Sequence, residues 1–363
     1  MKVVFAGGGT GGHIYPAIAV ADELRKRNRG LEPVFIGTRK GLEAKVVPES
    51  GYEIGFVVSS GFRGKGILGK GATLLGIGVG SIQAIAILSR LKARLVFGSG
   101  GFASASTIIA AILMGIPVVI QEQNSIPGMT NRFLYKRAKR VYIGFQRAAQ
   151  YFKGNSAVIY TGNPLRDELF EPKDIDAREY FGLKHDIPVL LVFGGSRGAH
   201  SINVVATEYF LSNGEVQGIV QTGDRDYDWV KEKLAPLGGR VVVRRYMDKI
   251  DLAYRAADLA LARAGALSVS ELAAVHLPSI LVPYPYAVDN HQYYNALEIE
   301  EAGGAVIIRD QELTPGRFAE TASAIIKDPS KLDRMKDALK KAAVKDASKR
   351  IADDIENLLE GRG

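Results

Sequence analysis

The chain has no cysteine. This excludes a disulfide framework, a thiolate zinc site and a cysteine nucleophile together, and it suits a reducing compartment. Histidine is scarce as well: five residues, none at metal-ligand spacing, so no metal site is expected. A basic helix or basic–aromatic repeat of the kind that tracks nucleic acid is also missing. After Met1 and Lys2 the chain runs through Val3-Val4-Phe5-Ala6 straight into glycines. It lacks the long apolar segment and small-residue cleavage site of an export signal, so a cytosolic setting is expected. Acidic residues are outnumbered, 39 against 47 basic, for a net charge of +8. That excess fits an anionic substrate or an acidic membrane surface, and ordinary solubility accounts for it equally well.

What is present is enough for two domains. With 363 residues, 47% of them hydrophobic, the chain can bury a large core and exceeds one typical domain. Short β-branched runs alternate with longer segments of helical period, the signature of parallel sheets with crossover helices. Strands are expected at 2–6, 33–37, 53–58, 94–97, 117–121 and 140–143. The turn residues Thr161-Gly162-Asn163-Pro164 then interrupt the pattern. A second series follows at 188–193, 216–220, 240–243, 258–261 and 279–282. The expectation is an α/β protein of two Rossmann-like, doubly wound parallel-sheet domains, 1–162 and 163–345, facing a central cleft. The last helix, about 346–363, is expected to pack back on the first domain.

Each half opens on strand, glycine loop and helix start: Val4 to His13 reads VFAGGGTGGH, and Val192 to His200 reads VFGGSRGAH. A third variant, Gly98-Ser99-Gly100-Gly101, precedes an apolar helix. Gly7, Gly9 and Gly12 match the dinucleotide fingerprint, which raises a nicotinamide oxidoreductase. The fingerprint also wants a carboxylate ending the second strand, where the chain reads Phe35-Ile36-Gly37-Thr38. The physical content of the loops stands regardless. Glycine lets backbone approach phosphate, and a helix N-terminus offers N–H groups and partial positive charge to an anion. Three such loops imply a phosphate-rich ligand or two phosphorylated ligands.

Other candidates have plainer readings beside the functional one. His13 ends the first glycine loop, where an imidazole could take a proton near neutral pH or merely pack. Ser268 and Glu271 fit an S-x-x-E capping box, and Glu271 is also placed to accept ribose hydroxyls. Asp224-Arg225-Asp226 is a D-x-D that either holds a divalent metal under a diphosphate or forms a charged surface turn. The stretch 71–89 carries no charge, yet four glycines interrupt it and cations bracket it: Arg63, Lys65 and Lys70 before, Arg90, Lys92 and Arg94 after. It is expected to be a crossover helix whose apolar face rests on anionic headgroups rather than a spanning segment.

Taken together, GGGTGGH (7–13), GSGG (98–101), EQN (122–124), GNPLR (162–166), GGSRGA (194–199), AGALSVSE (264–271) and HQYYNA (291–296) closely resemble the MurG family, in order and over nearly the whole chain. These bacterial GT-B enzymes transfer N-acetylglucosamine from its UDP donor to undecaprenyl-diphosphate-linked N-acetylmuramyl-pentapeptide, working peripherally on the cytoplasmic side of the plasma membrane. The resemblance implies an inverting transferase without cofactor, with the acceptor on the N-terminal domain and most of the donor on the C-terminal one. Loop amides and helix dipoles would stabilise the departing diphosphate without a metal. Thr10, Gly11 and Gly12 would border the sugar and diphosphate, with Asn124, Arg166 and Ser196 completing the polar contacts. Met247 would meet the uracil. Ala266, Leu267, Ser268, Val269, Ser270 and Glu271 would cradle the nucleotide, with Glu271 on the ribose, and Gln292 would reach the sugar hydroxyls. His13 would be the base activating the acceptor hydroxyl. The membrane contact would lie within 61–94. Members commonly carry a histidine before EQN and a tyrosine after the glycine loop, where this chain has Gln121 and Phe102. A UDP-sugar epimerase of the same fold and a non-enzymatic UDP-sugar sensor remain alternatives. The epimerase needs a carboxylate pair near the sugar, and none is evident.

Overall fold

A computed structural model describes residues 1–27, 30–59, 67–154, 157–171, 174–195 and 197–362. Ser196, Arg63 and Lys65 therefore lie outside the described residues. The chain divides into two compact units, Met1–Arg166 with Val344–Gly363, and Asp167–Ala343.

The first unit is a seven-stranded parallel sheet: β1 Lys2–Gly7, β2 Glu32–Gly37, β3 Ile54–Phe56, β4 Leu95–Gly100, β5 Val118–Glu122, β6 Arg140–Ile143 and β7 Val158–Tyr160, in the order β3-β2-β1-β4-β5-β6-β7. Its helices are α1 Gly11–Arg27, α2 Glu43–Glu49, α3 Ile67–Leu91, α4 Phe102–Leu113 and α5 Met129–Leu134. The second unit starts at α6 Ala177–Tyr180 and β8 Val189–Phe193, continuing through α7 His200–Ser212, β9 Gln217–Gln221, α8 Tyr227–Leu234, β10 Val241–Arg244 and α9 Ile250–Ala256. It then adds β11 Leu259–Arg263, α10 Ala266–Ala274, β12 Ser279–Val282, α11 His291–Glu301, β13 Ala305–Ile307, α12 Pro315–Ile326 and α13 Pro329–Ala342. Its sheet is parallel too, ordered β10-β9-β8-β11-β12-β13. The final helix, α14 Ala347–Leu359, belongs to the first unit.

Both orders are those of the doubly wound nucleotide-binding fold, in which the connections change direction between the first strand and the fourth. Helices cover both faces, so β1 reads as a continuous apolar run. Its residues still alternate: Val4 and Ala6 enter the core under α3 and α4, while Val3 and Phe5 enter the one under α1 and α14. Phe5 sits between Phe35 and Phe97 of the flanking strands, with ring centroids 5.3 and 5.0 Å away.

Helix α14 is held by apolar and charged contacts together. Ile351, Ala352 and Ile355 are fully buried in the Phe5 core, and each isoleucine contributes roughly 1.5–3 kcal/mol of burial as an upper bound. Arg27 reaches Asp353 at 2.6 Å and Glu356 at 3.2 Å. Asp354 accepts from Tyr142 Oη at 2.7 Å and from Arg140 Nε at 3.1 Å.

Two strands went unread in the sequence, β7 and β13. Each has three residues and lies at a sheet edge. The uncharged stretch 71–89 falls within α3, and among the described residues no helix is long and apolar enough to cross a membrane. One face of α3 buries Ser81, Ala84 and Leu88, while Leu75, Val79 and Ile82, spaced four and three apart, are 74%, 49% and 70% exposed.

Candidate functional site

In the first unit the residues converge where the sheet order reverses, since β1 and β4 are neighbours and both end in glycine loops. After β1, the Thr10 carbonyl accepts the amides of His13 at 3.2 Å and Ile14 at 3.3 Å, which turns the loop into α1. Thr10 and Gly12 are exposed and Gly11 is partly so. The loop after β4 presses backbone to backbone on the first. Gly101 has φ +84°, and a Cβ there would stand 2.5 Å from the Gly8 carbonyl oxygen. At Gly100, with φ +96°, a Cβ would stand 3.0 Å from the His13 ring. Only glycine tolerates that φ and that approach together.

His13 is half-buried, and its Nδ1 lies 3.1 Å from Gln123 Oε1. The EQN segment holds the same strand end through Glu122, which is 1% exposed. Glu122 accepts the amides of Asn124 at 2.9 Å and Gly128 at 3.0 Å, and the Asn131 side chain at 2.8 Å. Its carboxylate is thus committed to shaping the loop that presents Asn124. Arg166 lies over the Tyr15 ring, 5.7 Å from the centroid, and the same ring borders Gly11. Thr10, Gly11, Gly12, His13 and Asn124 therefore share one strand-end region, and Arg166 joins it through Tyr15.

One carboxylate in this region was not expected. Glu43, 1% exposed, accepts the Gly9 amide at 2.8 Å, the Thr38 amide at 2.9 Å and the Thr38 hydroxyl at 2.8 Å. A carboxylate thus stands six residues beyond the end of β2, folded back from α2. It engages the chain's own glycine loop.

The second unit repeats the layout. Its glycine loop joins β8 to α7, and α10 begins just after β11, the neighbouring strand. Gly198 has φ +71°, and a Cβ there would come within 1.8 Å of the Thr222 carbonyl oxygen, so only glycine fits. Gln221 links this loop to Met247: its Nε2 donates to Gly195 O at 3.0 Å, and its Oε1 accepts the Met247 amide at 2.9 Å. Met247 is buried, with its N–H engaged by Gln221.

Helix α10 corrects the capping expectation. Its N-cap is Gly265 (φ −62°, ψ 144°), without a side-chain cap. Ser268 is the third helical residue and cannot cap the helix, because a capping side chain must precede the first turn. Glu271 lies in the second turn and accepts Tyr254 Oη at 2.8 Å. Ala266 and Val269 face the core, while Leu267, Ser268, Ser270 and Glu271 are partly exposed. The first-turn amides of α10, with no side chain capping them, present a positive helix end at the strand edge.

A cavity of ≈ 440 Å³ adjoins this loop, lined by Gly194, Gly198, Ser201, Arg263, Gln292 and Asp310 among others. That volume suits a small organic ligand. Gln292 is oriented by its Oε1, which accepts the Tyr284 amide at 2.9 Å. Arg263 supplies a fixed cation: it lies 2.5 Å from Asp310 Oδ1 and donates to Ser201 Oγ at 2.9 Å, and Ser201 donates to Asp310 at 2.7 Å. Nothing in the sequence singled out this triad, because its members lie on three separate elements.

The D-x-D splits. Asp224 is exposed, whereas Asp226 turns inward, with both carboxylate oxygens 3.1 Å from His200 Nδ1, and accepts Asn203 Nδ2 at 2.9 Å. Asp226 fastens the turn to α7. Among the described residues no three histidine, aspartate or glutamate side chains gather as metal ligands.

Comparison with known proteins adds the following. Residues 3–143 match the glycosyltransferase family 28 N-terminal domain and residues 189–351 its C-terminal domain. The UDP-N-acetylglucosamine–N-acetylmuramyl-(pentapeptide) pyrophosphoryl-undecaprenol N-acetylglucosamine transferase of Acetivibrio thermocellus is 37% identical, covering 100% of this chain and 99% of that one. The enzyme of the same name from Geobacter sulfurreducens is 40% identical over 98% of each. Among solved structures, Acinetobacter baumannii MurG superposes with a TM-score of 0.78 at 26% identity, over 98% of this chain and 99% of that one. A putative UDP-N-acetylglucosamine 2-epimerase from Listeria monocytogenes reaches a TM-score of 0.71 at 16% identity, over 99% of this chain and 97% of that one, a likeness of fold alone.

Proposed function

Because the chain belongs to glycosyltransferase family 28, and within it to the MurG transferases, we propose that it moves N-acetylglucosamine from UDP-N-acetylglucosamine to an undecaprenyl-diphosphate-linked N-acetylmuramyl-pentapeptide, the lipid I to lipid II step of peptidoglycan synthesis. The observation that carries this reading is identity of 37–40% along essentially the full length to enzymes bearing that name.

The second unit is the donor unit. Glu271 accepts the ribose hydroxyls, Met247 borders the uracil, Ser196 and the start of α10 meet the diphosphate, and Gln292 meets the sugar. The first unit is the acceptor unit, with Thr10, Gly11, Gly12, Asn124 and Arg166 at its working end. The acceptor hydroxyl oxygen bonds to the anomeric carbon on the face opposite UDP as the bond to the diphosphate oxygen breaks, which inverts that centre. His13 takes the hydroxyl proton, and UDP departs with its charge met by loop amides and helix N-termini. Arg263 lines the cavity wall paired with Asp310, so the two order that wall without adding net charge.

The acceptor is held in a membrane, and the enzyme works peripherally at its cytoplasmic side. Leu75, Val79 and Ile82 on α3 are the apolar contact, flanked by Arg90, Lys92 and Arg94 for anionic headgroups. Calorimetric titration tests the donor half directly: UDP and UDP-N-acetylglucosamine should both bind saturably, and absence of heat with either refutes the assignment.

A further inference from the structure

The imidazole of His13 does not stand alone. Its Nδ1 faces Gln123 Oε1 at 3.1 Å, and Gln123 belongs to a buried chain of amides whose orientation can be read from both ends. At one end Gln123 Nε2 lies 2.7 Å from the Ser99 carbonyl oxygen. A carbonyl only accepts, so the atom facing it must be the amide nitrogen. At the other end Asn163 Nδ2 donates to the Gln123 backbone carbonyl at 3.0 Å, which fixes Asn163 the same way. Asn163 Oδ1 then accepts Gln121 Nε2 at 3.1 Å, and Gln121 Oε1 accepts Gln123 Nε2. Gln121, Gln123 and Asn163 are each no more than 2% exposed. Flipping any one of them would set two acceptors or two donors face to face out of reach of water, at a cost on the order of 1–3 kcal/mol.

Two backbone carbonyls, 24 residues apart in sequence, therefore determine which atom of Gln123 faces His13, and it is an oxygen. An amide oxygen only accepts, so Nδ1 must carry the ring proton. The geometry points to Gln123 as the positioning residue that holds His13 in the Nδ1–H tautomer and leaves the Nε2 lone pair as the basic site. Gln121 and Asn163 keep Gln123 from rotating. The catalytic use of that lone pair rests on the proposed function, in which Nε2 takes the acceptor hydroxyl proton; the tautomer itself does not. The proton enters at Nε2 while Nδ1–H stays bonded to Gln123, giving an imidazolium whose second N–H is already partnered. The logic is that of a triad's orienting group with a neutral amide in place of a carboxylate.

The test is long-range ¹H–¹⁵N correlation on histidine-labelled protein at a pH where the ring is neutral, with His13 assigned by loss of its signals in His13→Gln. The expected pattern is a pyrrole-type Nδ1 and a pyridine-type Nε2 in the unmodified protein. A pyrrole-type Nε2 overturns the proposal. Gln123→Met, similar in volume but without the acceptor, should redistribute the ring toward Nε2–H and lower kcat roughly 10- to 100-fold, with the donor KM held within about twofold. An unchanged His13 tautomer in Gln123→Met also overturns it. Should the Nδ1–H pattern be found while His13→Ala retains full turnover, His13 is not the base and the proposed mechanism fails, but the positioning by Gln123 stands.

Discussion

Glu43 Oε2 accepts the backbone amide of Gly9 at 2.8 Å, so the chain's own carboxylate occupies the N–H that a glycine fingerprint would otherwise offer to a dinucleotide pyrophosphate. The match of Gly7, Gly9 and Gly12 to that fingerprint is thus a likeness of backbone shape. Its electrostatics are set by an internal anion. A dinucleotide would have to displace Glu43 Oε2 from the Gly9 amide, against a carboxylate whose Oε1 is held by the Thr38 amide and hydroxyl.

Replacing Glu43 by alanine should therefore destabilise the first unit without creating a nicotinamide site. Three donors would lose a buried charged acceptor, at a cost of about 3 kcal/mol. Urea unfolding checks the loss, and fluorescence titration with NADH should stay silent in both proteins. An unchanged unfolding midpoint would mean that the carboxylate does not support the loop.

His13→Ala should lower kcat by about 10²- to 10⁴-fold, the usual range for a general base, with donor affinity unchanged. Steady-state kinetics beside calorimetry separates the two. Parallel loss of donor binding would make His13 a binding element.

Glu271→Ala should act on the other side of that division. Removing a carboxylate from two ribose hydroxyls forfeits about 2 kcal/mol, so the KM for UDP-N-acetylglucosamine should rise roughly 30-fold with kcat largely kept. Part of the effect will pass through Tyr254, whose hydroxyl donates to Glu271. Tyr254→Phe should therefore give a smaller rise, and equal rises would place the nucleotide contact on the pair rather than on the carboxylate.

On α3, Leu75→Asp with Ile82→Asp should weaken binding to vesicles containing anionic lipid by on the order of 100-fold, since each buried apolar side chain is worth about 1.5–3 kcal/mol. Both residues are already exposed, so folding should be unaffected. Vesicle sedimentation reads the outcome, and undiminished association removes α3 as the contact.

The anchorage of α14 carries a pH signature. Burial, then the charge of Asp354 and the hydrogen bond to it, push the Tyr142 phenol well above its ordinary range. Tyr52 is raised likewise, by burial and then by its bond to Asp22. A raised phenol favours the neutral form in the folded state. Its stabilisation is complete below the unfolded value of about 10 and is lost as pH rises beyond it. Unfolding free energy should hold up to about pH 10 and fall above it, and Tyr142→Phe should flatten that fall. At neutral pH the same variant should cost about 1–2 kcal/mol, because Asp354 loses a donor yet keeps Arg140.

The parts of this molecule legible in sequence are those where local chemistry dictates local shape. β1 and β8 could be read because a strand buried on both faces must be apolar throughout and its exit to a phosphate-binding helix must be glycine. β7 and β13 were not read, although β3, equally short and also at a sheet edge, was, so length alone does not account for the two. Ser268 and Glu271 have the spacing of a capping box, but the helix starts two residues earlier, at Ala266, where the glycine before it gives no side-chain signal. The absence of a carboxylate at the end of β2 was legible, whereas Glu43 was not, since nothing local in α2 marks a side chain that folds back onto Gly9 and Thr38. His13 and Gln123 stand 110 residues apart, and only the neighbouring ends of β1, β4 and β5 bring them together.

The most direct measurement is product formation with anomerically pure UDP-N-acetylglucosamine, a polyprenyl-diphosphate muramyl-pentapeptide in vesicles, and each substrate alone. UDP should appear only in the complete mixture, in step with a disaccharide lipid whose new linkage is of inverted configuration. UDP release or epimerised donor in the absence of the lipid, or a retained anomeric configuration in its presence, would contradict the account.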